Sequence, residues 1–415
     1  MNFLYNTAIG AYALAARIAA IRSPKVRAMI EGQRCSVAHV AAVRAGKAPK
    51  GFDFWFHVAS LGEFEQARPL IERIRTEHPE LTILLTFFSP SGYQVRKNYP
   101  MVDCVAYLPF DKPTSVRRFI DAAAPRRVVF VKYEFWGNFI TELRRRGVPV
   151  FLIDAIFRPG QAFFRSYGGP FRKILRSYEH IFVQDDASQK LLAGIGVDNV
   201  SVAGDTRFDR VANIRENAAE LPQIQKWLAE KPFTIVVGSS WQPDEDRYIP
   251  WLNANPTVPA IIAPHEFDER RIEALRNRIA GKTVLWSAIK DTTEDIPADT
   301  QVLIVDTFGL LSSLYRFGNV ALVGGGFGVG IHNINEAAVY GIPVAFGPNH
   351  HKFKEAQDLI ACGGAFEYSE AEQLAERLDA WKQDKEMLHT AGSAAANYIM
   401  SSLGATDRIL PAILP

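Results

Sequence analysis

From residue 54 onward, short runs of β-branched and aromatic residues alternate with stretches whose apolar positions recur at helical spacing. That is how βαβ units around a parallel sheet appear in a sequence. The pattern predicts strands at 54–59, 82–87, 105–108, 127–131, 150–153, 180–183 and 200–203, with helices such as 63–77, 115–123 and 139–146 between them. A second series of strands is predicted at 233–237, 259–263, 284–286, 302–305, 320–323 and 343–346. The expected architecture is α/β: two doubly wound domains, 51–210 and 233–415, joined by a polar connector at 211–232 that contains Pro222. Residues 371–400 read as closing helices, with Trp381 as a packing anchor. No short repeat occurs, which excludes solenoids. Open parallel sheets bind ligands outside the carboxyl ends of their strands, so two such domains are expected to face a central cleft. The informative residues are those just after strands.

The first fifty residues break this pattern. Residues 3–21 are largely apolar, interrupted by Asn6 and Arg17 and followed at once by Arg22, Lys25 and Arg27. Crossing a bilayer takes ~20 apolar residues and Arg17 can snorkel, so a spanning helix and one lying in the interface both fit. A secretory signal puts its basic residues before the apolar run, whereas here they come after it, which favours a body on the cytoplasmic face. The plain alternative is an amphipathic first helix packed on its own domain. Residues 1–50 hold eight basic side chains and one acid, yet the whole chain has 47 basic and 45 acidic residues, so no global field points to nucleic acid. With 48% hydrophobic and 22% charged residues over 415 positions, the chain has material for sizeable cores and is not disordered. Cys35, Cys104 and Cys362 form no C-x-x-C pair, which argues against a disulfide framework or a thiolate zinc site and for a reducing compartment.

Several loops carry candidate chemistry. After the first strand, Ser60, Leu61 and Gly62 make a turn that sets Glu63 at a helix start, where a carboxylate is either a reactive group or simply a capping acid meeting the helix dipole. After the fourth strand, Glu134 stands among Tyr133, Phe135 and Trp136. Desolvation there raises its pKa unless a cation answers it, and ion pairing with Lys132 or Arg158 is the bland alternative. In the second half, Gly238, Ser239 and Ser240 follow one strand and His265 the next. Small residues and hydroxyls there suit a phosphate or sugar, and serve equally as helix caps. The strand at 320–323 runs into Gly324, Gly325 and Gly326, then through Gly328 and Gly330 to His332, Asn333 and Glu336. A glycine turn into a helix N-terminus is expected to offer backbone N–H groups to an anion. No acid follows at the end of the next strand, GIPVAFGP, so this is not the dinucleotide fingerprint. His332, His350 and His351 lack metal-ligand spacing and no G-x-S-x-G elbow occurs, so neither a metal site nor a serine hydrolase is expected.

In combination these segments resemble the 3-deoxy-D-manno-octulosonic acid (Kdo) transferases of Gram-negative lipid A assembly. The resemblance runs over most of the chain: HVASLGEFEQARPLI, TFFSPSGYQ, YLPFDKP, KYEFWGNFI, AGDTRFD, GSSWQPDED and the block from DTFGLLSSLY to FGPNHHKFKEA. It implies a GT-B fold of two Rossmann-like domains: a membrane-associating segment at 1–50, an acceptor domain at 51–210 and a nucleotide-sugar domain at 233–415. The implied reaction is inverting transfer of Kdo from CMP-Kdo to a glucosamine hydroxyl of a lipid A precursor, without metal or cofactor, on the cytoplasmic side of the inner membrane. By motif, Glu63 of S-x-G-E matches the family's catalytic base. Glu134, with Trp136 and Asn138, matches its second essential glutamate. Ser239, Ser240, His265, Gly325, Gly326, Asn333 and Glu336 match the donor contacts. Two departures stand out: APHE replaces P-R-H-P, leaving Arg207 of DTRFD as the compensating cation, and Gly137 stands where the family has proline. The competing readings are another GT-B nucleotide-sugar enzyme, either a UDP-sugar transferase or an epimerase, and a membrane-attached binding module without turnover.

Overall fold

The computed structural model describes residues 3–292 and 294–415. In it the chain divides into two units, one formed by residues up to Arg210 together with Leu403–Pro415, the other by Val211–Ser402. The first unit contains β1 Phe54–Val58, β2 Ile83–Phe87, β3 Cys104–Tyr107, β4 Arg127–Val131, β5 Val150–Ala155, β6 His180–Val183 and β7 Val200–Val202. They form one parallel sheet in the order β3-β2-β1-β4-β5-β6-β7. Strands covered on both faces are apolar throughout rather than alternating, and β1, FWFHV, is buried at every position. Its two faces still go to different partners, as the strand period of two requires. Phe54, Phe56 and Val58 pack with Phe64, Leu70, Ile71 and Ile74 of the following helix, while Trp55 packs with Phe119, Phe130 and Phe139 on the other side.

Two N-terminal helices, α1 Phe3–Arg22 and α2 Pro24–Lys47, also belong to this unit. Ser23 caps α2 by accepting the Val26 N–H, and Pro24 supplies the fixed φ of the first turn. Gln33 Nε2 and Ser36 Oγ of α2 donate to the carbonyls of Leu108 and Tyr107, fixing the helix at the exit of β3. The α1 helix is tied down by Tyr5, whose hydroxyl donates to buried Asp111 at 2.6 Å, and by Tyr12 against Phe88 and Phe110. Its inner face is therefore packed on its own domain. Its outer face is not: Leu14, Ile18 and Ile21 are 59%, 60% and 72% exposed. No helix among the described residues is long and apolar enough to cross a membrane, so the spanning option falls away for them.

The second unit contains β8 Ile235–Ser240, β9 Ala260–Pro264, β10 Lys282–Leu285, β11 Thr300–Ile304, β12 Val320–Val323, β13 Val344–Phe346 and β14 Ala365–Glu367. Its sheet is again parallel, ordered β10-β11-β9-β8-β12-β13-β14. Three expectations need correction. The connector is not a polar loop: it is largely helical, Thr206–Glu216 and Pro222–Leu228, and Ile224 and Trp227 of the second helix are buried. The last residues do not close the second unit. The helix Ala405–Ile413 returns to the first, where Ile409, Leu410 and Ile413 complete the face made by Ile71 and Ile74. Asp209 secures that return by accepting the N–H groups of Gly404 and Thr406 at 2.7 and 2.6 Å. Finally, β14 was not expected, because a three-residue edge strand that is only half buried carries no hydrophobic run.

Candidate active site

The strand order reverses between β1 and β4 in the first unit and between β8 and β12 in the second. At such a switch point the flanking loops diverge and leave room for a ligand. Glu63 follows β1 and Glu134 follows β4, so the first switch point is flanked by both predicted carboxylates.

Glu63 lies in the first turn of α3, Leu61–Glu77, whose N-cap is Ser60. The cap is reciprocal: Ser60 Oγ accepts the Glu63 N–H at 3.4 Å, and Glu63 Oε2 accepts the Ala59 N–H at 2.5 Å. The capping reading of Glu63 is therefore met in the structure. Burial, and then the negative charge of Glu134, push the Glu63 carboxyl up to about 7, against the pull of the Ala59 N–H, Lys132 and the Ser60 backbone. Such a group is half ionised near neutral pH, which is where a general base works best.

Glu134 is buried, and its partner is neither Lys132 nor Arg158. His57 Nε2 lies 2.8 Å from Glu134 Oε2, and the Trp136 indole N–H donates to the same oxygen. Lys132 instead acts through its charge on Glu63 and on Asp205. Lys132 at the end of β4 and Asp154 at the end of β5 both have left-handed backbones, with φ of +63° and +54°. Non-glycine residues there carry a strain of ~1–3 kcal/mol and gather at functional sites. Asp154 is fully buried, and burial followed by the charge of Asp205 holds its carboxyl well above the usual range. For Asp205 burial acts the same way, but the charge and hydrogen bonds of Arg207 outweigh it and lower its pKa. Arg207 thus sits on Asp205, Nη2 to Oδ2 at 2.6 Å, rather than standing ready for a phosphate. Asn138 is structural: its side chain donates to Asn6 Oδ1 and to the Asp111 carbonyl, while Asp111 accepts the N–H groups of Asn138 and Phe139 at the helix start.

In the second unit the glycine turn is built differently from the expectation. The Gly324 N–H donates to the Gly238 carbonyl and the Gly325 N–H to Asp244 Oδ2, so neither is offered to an anion. These residues are glycines because backbones crowd there. A Cβ on Gly324 would lie 2.3 Å from the Ser239 carbonyl oxygen, and one on Gly326 would lie 2.6 Å from Gly347 Cα. Ser240 is buried, its hydroxyl turned to Glu245 at 3.4 Å, whereas Ser239 is half-buried with φ of +53°. The predicted helix start at Asn333 is a single turn, Asn335–Ala338, and Asn333 Nδ2 donates to Glu336 Oε1 at 3.0 Å. His265 is exposed and stacks on both Trp241 and His332, with ring centroids 4.3 and 4.6 Å apart. The Trp241 indole N–H donates to His332 Nε2 at 3.3 Å, which makes Nδ1 the protonated nitrogen of a neutral ring. Burial and the neighbouring His265 pull His332 down to about 4, so it is neutral at pH 7. His350 is engaged with Glu367 at 2.6 Å. Among the described residues no three His, Cys, Asp or Glu side chains are grouped to hold a metal ion.

Sequence reasoning did not single out His57, Trp241 or Asp244. His57 reads as one more strand residue, and only the pairing of β1 with β4 brings it under Glu134. Trp241 and Asp244 lie in a turn that was searched for its serines.

Comparison with known proteins bears on the whole chain. Residues 27–210 match the family model described as 3-deoxy-D-manno-octulosonic-acid transferase (kdotransferase). The 3-deoxy-D-manno-octulosonic acid transferase of Aquifex aeolicus is 28% identical over 333 residues, spanning 78% of this chain and 84% of that protein. That of Haemophilus influenzae is 27% identical over 384 residues, spanning 88% and 87%. Among solved structures, UDP-GlcNAc 2-epimerase from Neisseria meningitidis bound to UDP-GlcNAc aligns with a TM-score of 0.58 at 15% identity, over 87% of this chain and 99% of that one, which is a likeness of fold, of the GT-B type. With transferase relatives matching along most of its length, the chain is similar to the 3-deoxy-D-manno-octulosonic acid transferases.

Proposed function

We propose that the chain is an inverting glycosyltransferase that moves Kdo from CMP-Kdo to a glucosamine hydroxyl of a lipid A precursor, with Glu63 as the general base. The observation that carries this reading is the Glu63 carboxyl, set at the β1 side of a switch point and pushed up to about 7. In the reaction the acceptor oxygen attacks the anomeric carbon, its proton passes to Glu63, and the bond to the CMP phosphate breaks with both electrons leaving on CMP. Donor recognition falls to the second unit. With the N–H groups of Gly324 and Gly325 engaged, the groups best suited to the leaving phosphate are Ser239 and the paired rings of His265 and His332, whose Nδ1–H remains to donate. Asn333 and Glu336, linked to each other, suit sugar hydroxyls. No step requires a metal or cofactor.

The acceptor is a lipid, and the outer face of α1 suits its surroundings. Leu14, Ile18 and Ile21 with Arg17 and Arg22 beside them form an apolar face edged by basic groups, which would lie in the interface of an anionic leaflet on the cytoplasmic side. Purified protein incubated with CMP-Kdo and a tetraacyl lipid A precursor tests the reading. The expected product is heavier by the mass of transferred Kdo and appears with free CMP. CMP binding with no product would leave a binding module, and product only from UDP-sugars would move the chain to another donor class.

A further inference from the structure

Beneath Glu134 runs a chain of side chains that the motif comparison does not assign. The Trp55 indole N–H donates to Thr86 Oγ1 at 2.8 Å, Thr86 Oγ1 lies 2.9 Å from His57 Nδ1, and His57 Nε2 lies 2.8 Å from Glu134 Oε2. Trp55, Thr86 and His57 have no exposed surface. Proton accounting sets the direction of this chain. An indole N–H only donates, so Thr86 Oγ1 accepts from Trp55 and keeps its one hydroxyl proton to give. Two acceptors are in reach, His57 Nδ1 at 2.9 Å and the Phe56 carbonyl at 3.4 Å, and the shorter is the better bond. Nδ1 also lies 3.2 Å from the Thr86 carbonyl, while Nε2 faces Glu134 Oε2, an oxygen that as part of a carboxylate only accepts, so a ring proton sits on Nε2 and points at it.

That oxygen therefore receives two N–H donors, from His57 and from Trp136, while the Tyr178 hydroxyl holds the Glu134 carbonyl at 2.7 Å. No hydrogen-bond partner is seen for Oε1 among the described residues. Two donors on one oxygen fix the rotamer of the carboxylate. The charged groups around it are Glu63 on α3 and Lys132 at the end of β4, which both act on the same field.

We propose that His57 is a positioning residue of the transfer reaction: together with Trp136 it clamps Glu134 Oε2, holding that carboxylate in one orientation beside the base Glu63. The inference rests on the reading of Glu63 as the base of Kdo transfer. Its chemical consequence is that a fixed negative charge raises the proton affinity of Glu63. Without the clamp the carboxylate is free to turn away from Glu63 and that push is lost.

The test compares His57→Leu with His57→Gln, whose amide keeps an N–H in reach of Oε2. In His57→Leu, kcat for Kdo transfer is expected to fall at least tenfold with KM for CMP-Kdo unchanged within twofold, and His57→Gln is expected to recover most of the loss. Wild-type kcat in folded His57→Leu, or His57→Gln no better than His57→Leu, overturns the inference. Should His57→Leu not fold, Trp136→Phe removes the other donor at a half-buried position and is expected to lower kcat at unchanged KM; an undiminished kcat counts against the clamp. Nitrogen-15 NMR of histidine-labelled wild-type protein near neutral pH gives a readout without substrate. A protonated Nε2 on His57 is expected, and a bare Nε2 overturns the proposal. Failure of the wild type to transfer Kdo while His57 shows that protonation is a failure of the functional reading; transfer by the wild type and by His57→Leu alike is a failure of this inference.

Discussion

The ends of the two sheets solve opposite problems. At the β1/β4 end, titratable side chains are gathered and each is held by a few donors, so that charge is concentrated and tuned: Glu63 up, Asp154 up, Asp205 down. At the β8/β12 end the backbone itself is crowded, the Gly324 and Gly325 N–H groups pair with the Gly238 carbonyl and with Asp244, and rings and hydroxyls gather around it. A glycine-rich loop is thus not the same thing as an anion nest. Glycine permits close approach of a ligand, but it permits close approach of another strand end equally well, and only the destination of each N–H tells the two apart.

The largest expected effect breaks or keeps the first half of this contrast. Glu63→Gln removes the base while leaving the cap shape, and transfer is expected to fall by ~10²–10⁴ with CMP-Kdo affinity by calorimetry unchanged within twofold. Turnover near that of the wild type would move the chemistry off the first unit. The second half is sharpened by glycines. Gly324→Ala, whose Cβ would meet the Ser239 carbonyl at 2.3 Å, is expected to cost ~1–3 kcal/mol of stability in denaturant melts. Gly328→Ala, whose nearest neighbour would be the Gly325 carbonyl at 3.7 Å, is expected to stay within ~0.5 kcal/mol. Equal losses for the two would undo the packing account.

A smaller effect concerns pH. Burial and the charge of Glu134 push the Glu63 carboxyl up to about 7, and with its ionised form as the proposed base kcat/KM is expected to rise with pH and level off above that value. One unit below it only ~one tenth of the molecules carry the base, giving an approximately tenfold loss. The linked stability runs the other way. A carboxyl whose folded pKa is raised favours folding most when protonated, so its contribution is lost as pH rises through about 7. Rate and stability should therefore trend oppositely between pH ~6 and ~8, and a flat rate profile would detach Glu63 from the proton transfer.

Much of this architecture is legible in the sequence because fully buried parallel strands such as VVFV and VALV leave apolar runs that nothing else explains. Glu63 was legible as a helix-start acid. What made it more than a cap, its burial and the proximity of Glu134, depends on the β1/β4 pairing and leaves no local mark. His57 was hidden for the same reason: a histidine inside FWFHV looks like core, and it is core, with a carboxylate lowered onto it. The glycine turn misled in the opposite direction, since its composition is loud and its hydrogen bonding is not encoded in it. The return of the C-terminal helix was missed because an apolar spacing such as Ile409, Leu410 and Ile413 names a buried face without naming the partner.

That returning helix decides how the protein can be taken apart. Residues 211–402 are one uninterrupted piece, whereas the portion bearing Glu63 is assembled from both ends of the polypeptide. Trimming the last thirteen positions would strip Ile409, Leu410 and Ile413 from beneath Ile71, at ~1.5–3 kcal/mol for each buried side chain. Such a shortened protein is expected to melt earlier by calorimetry in the proton-accepting portion alone, a separation that no cut nearer the middle of the gene would produce.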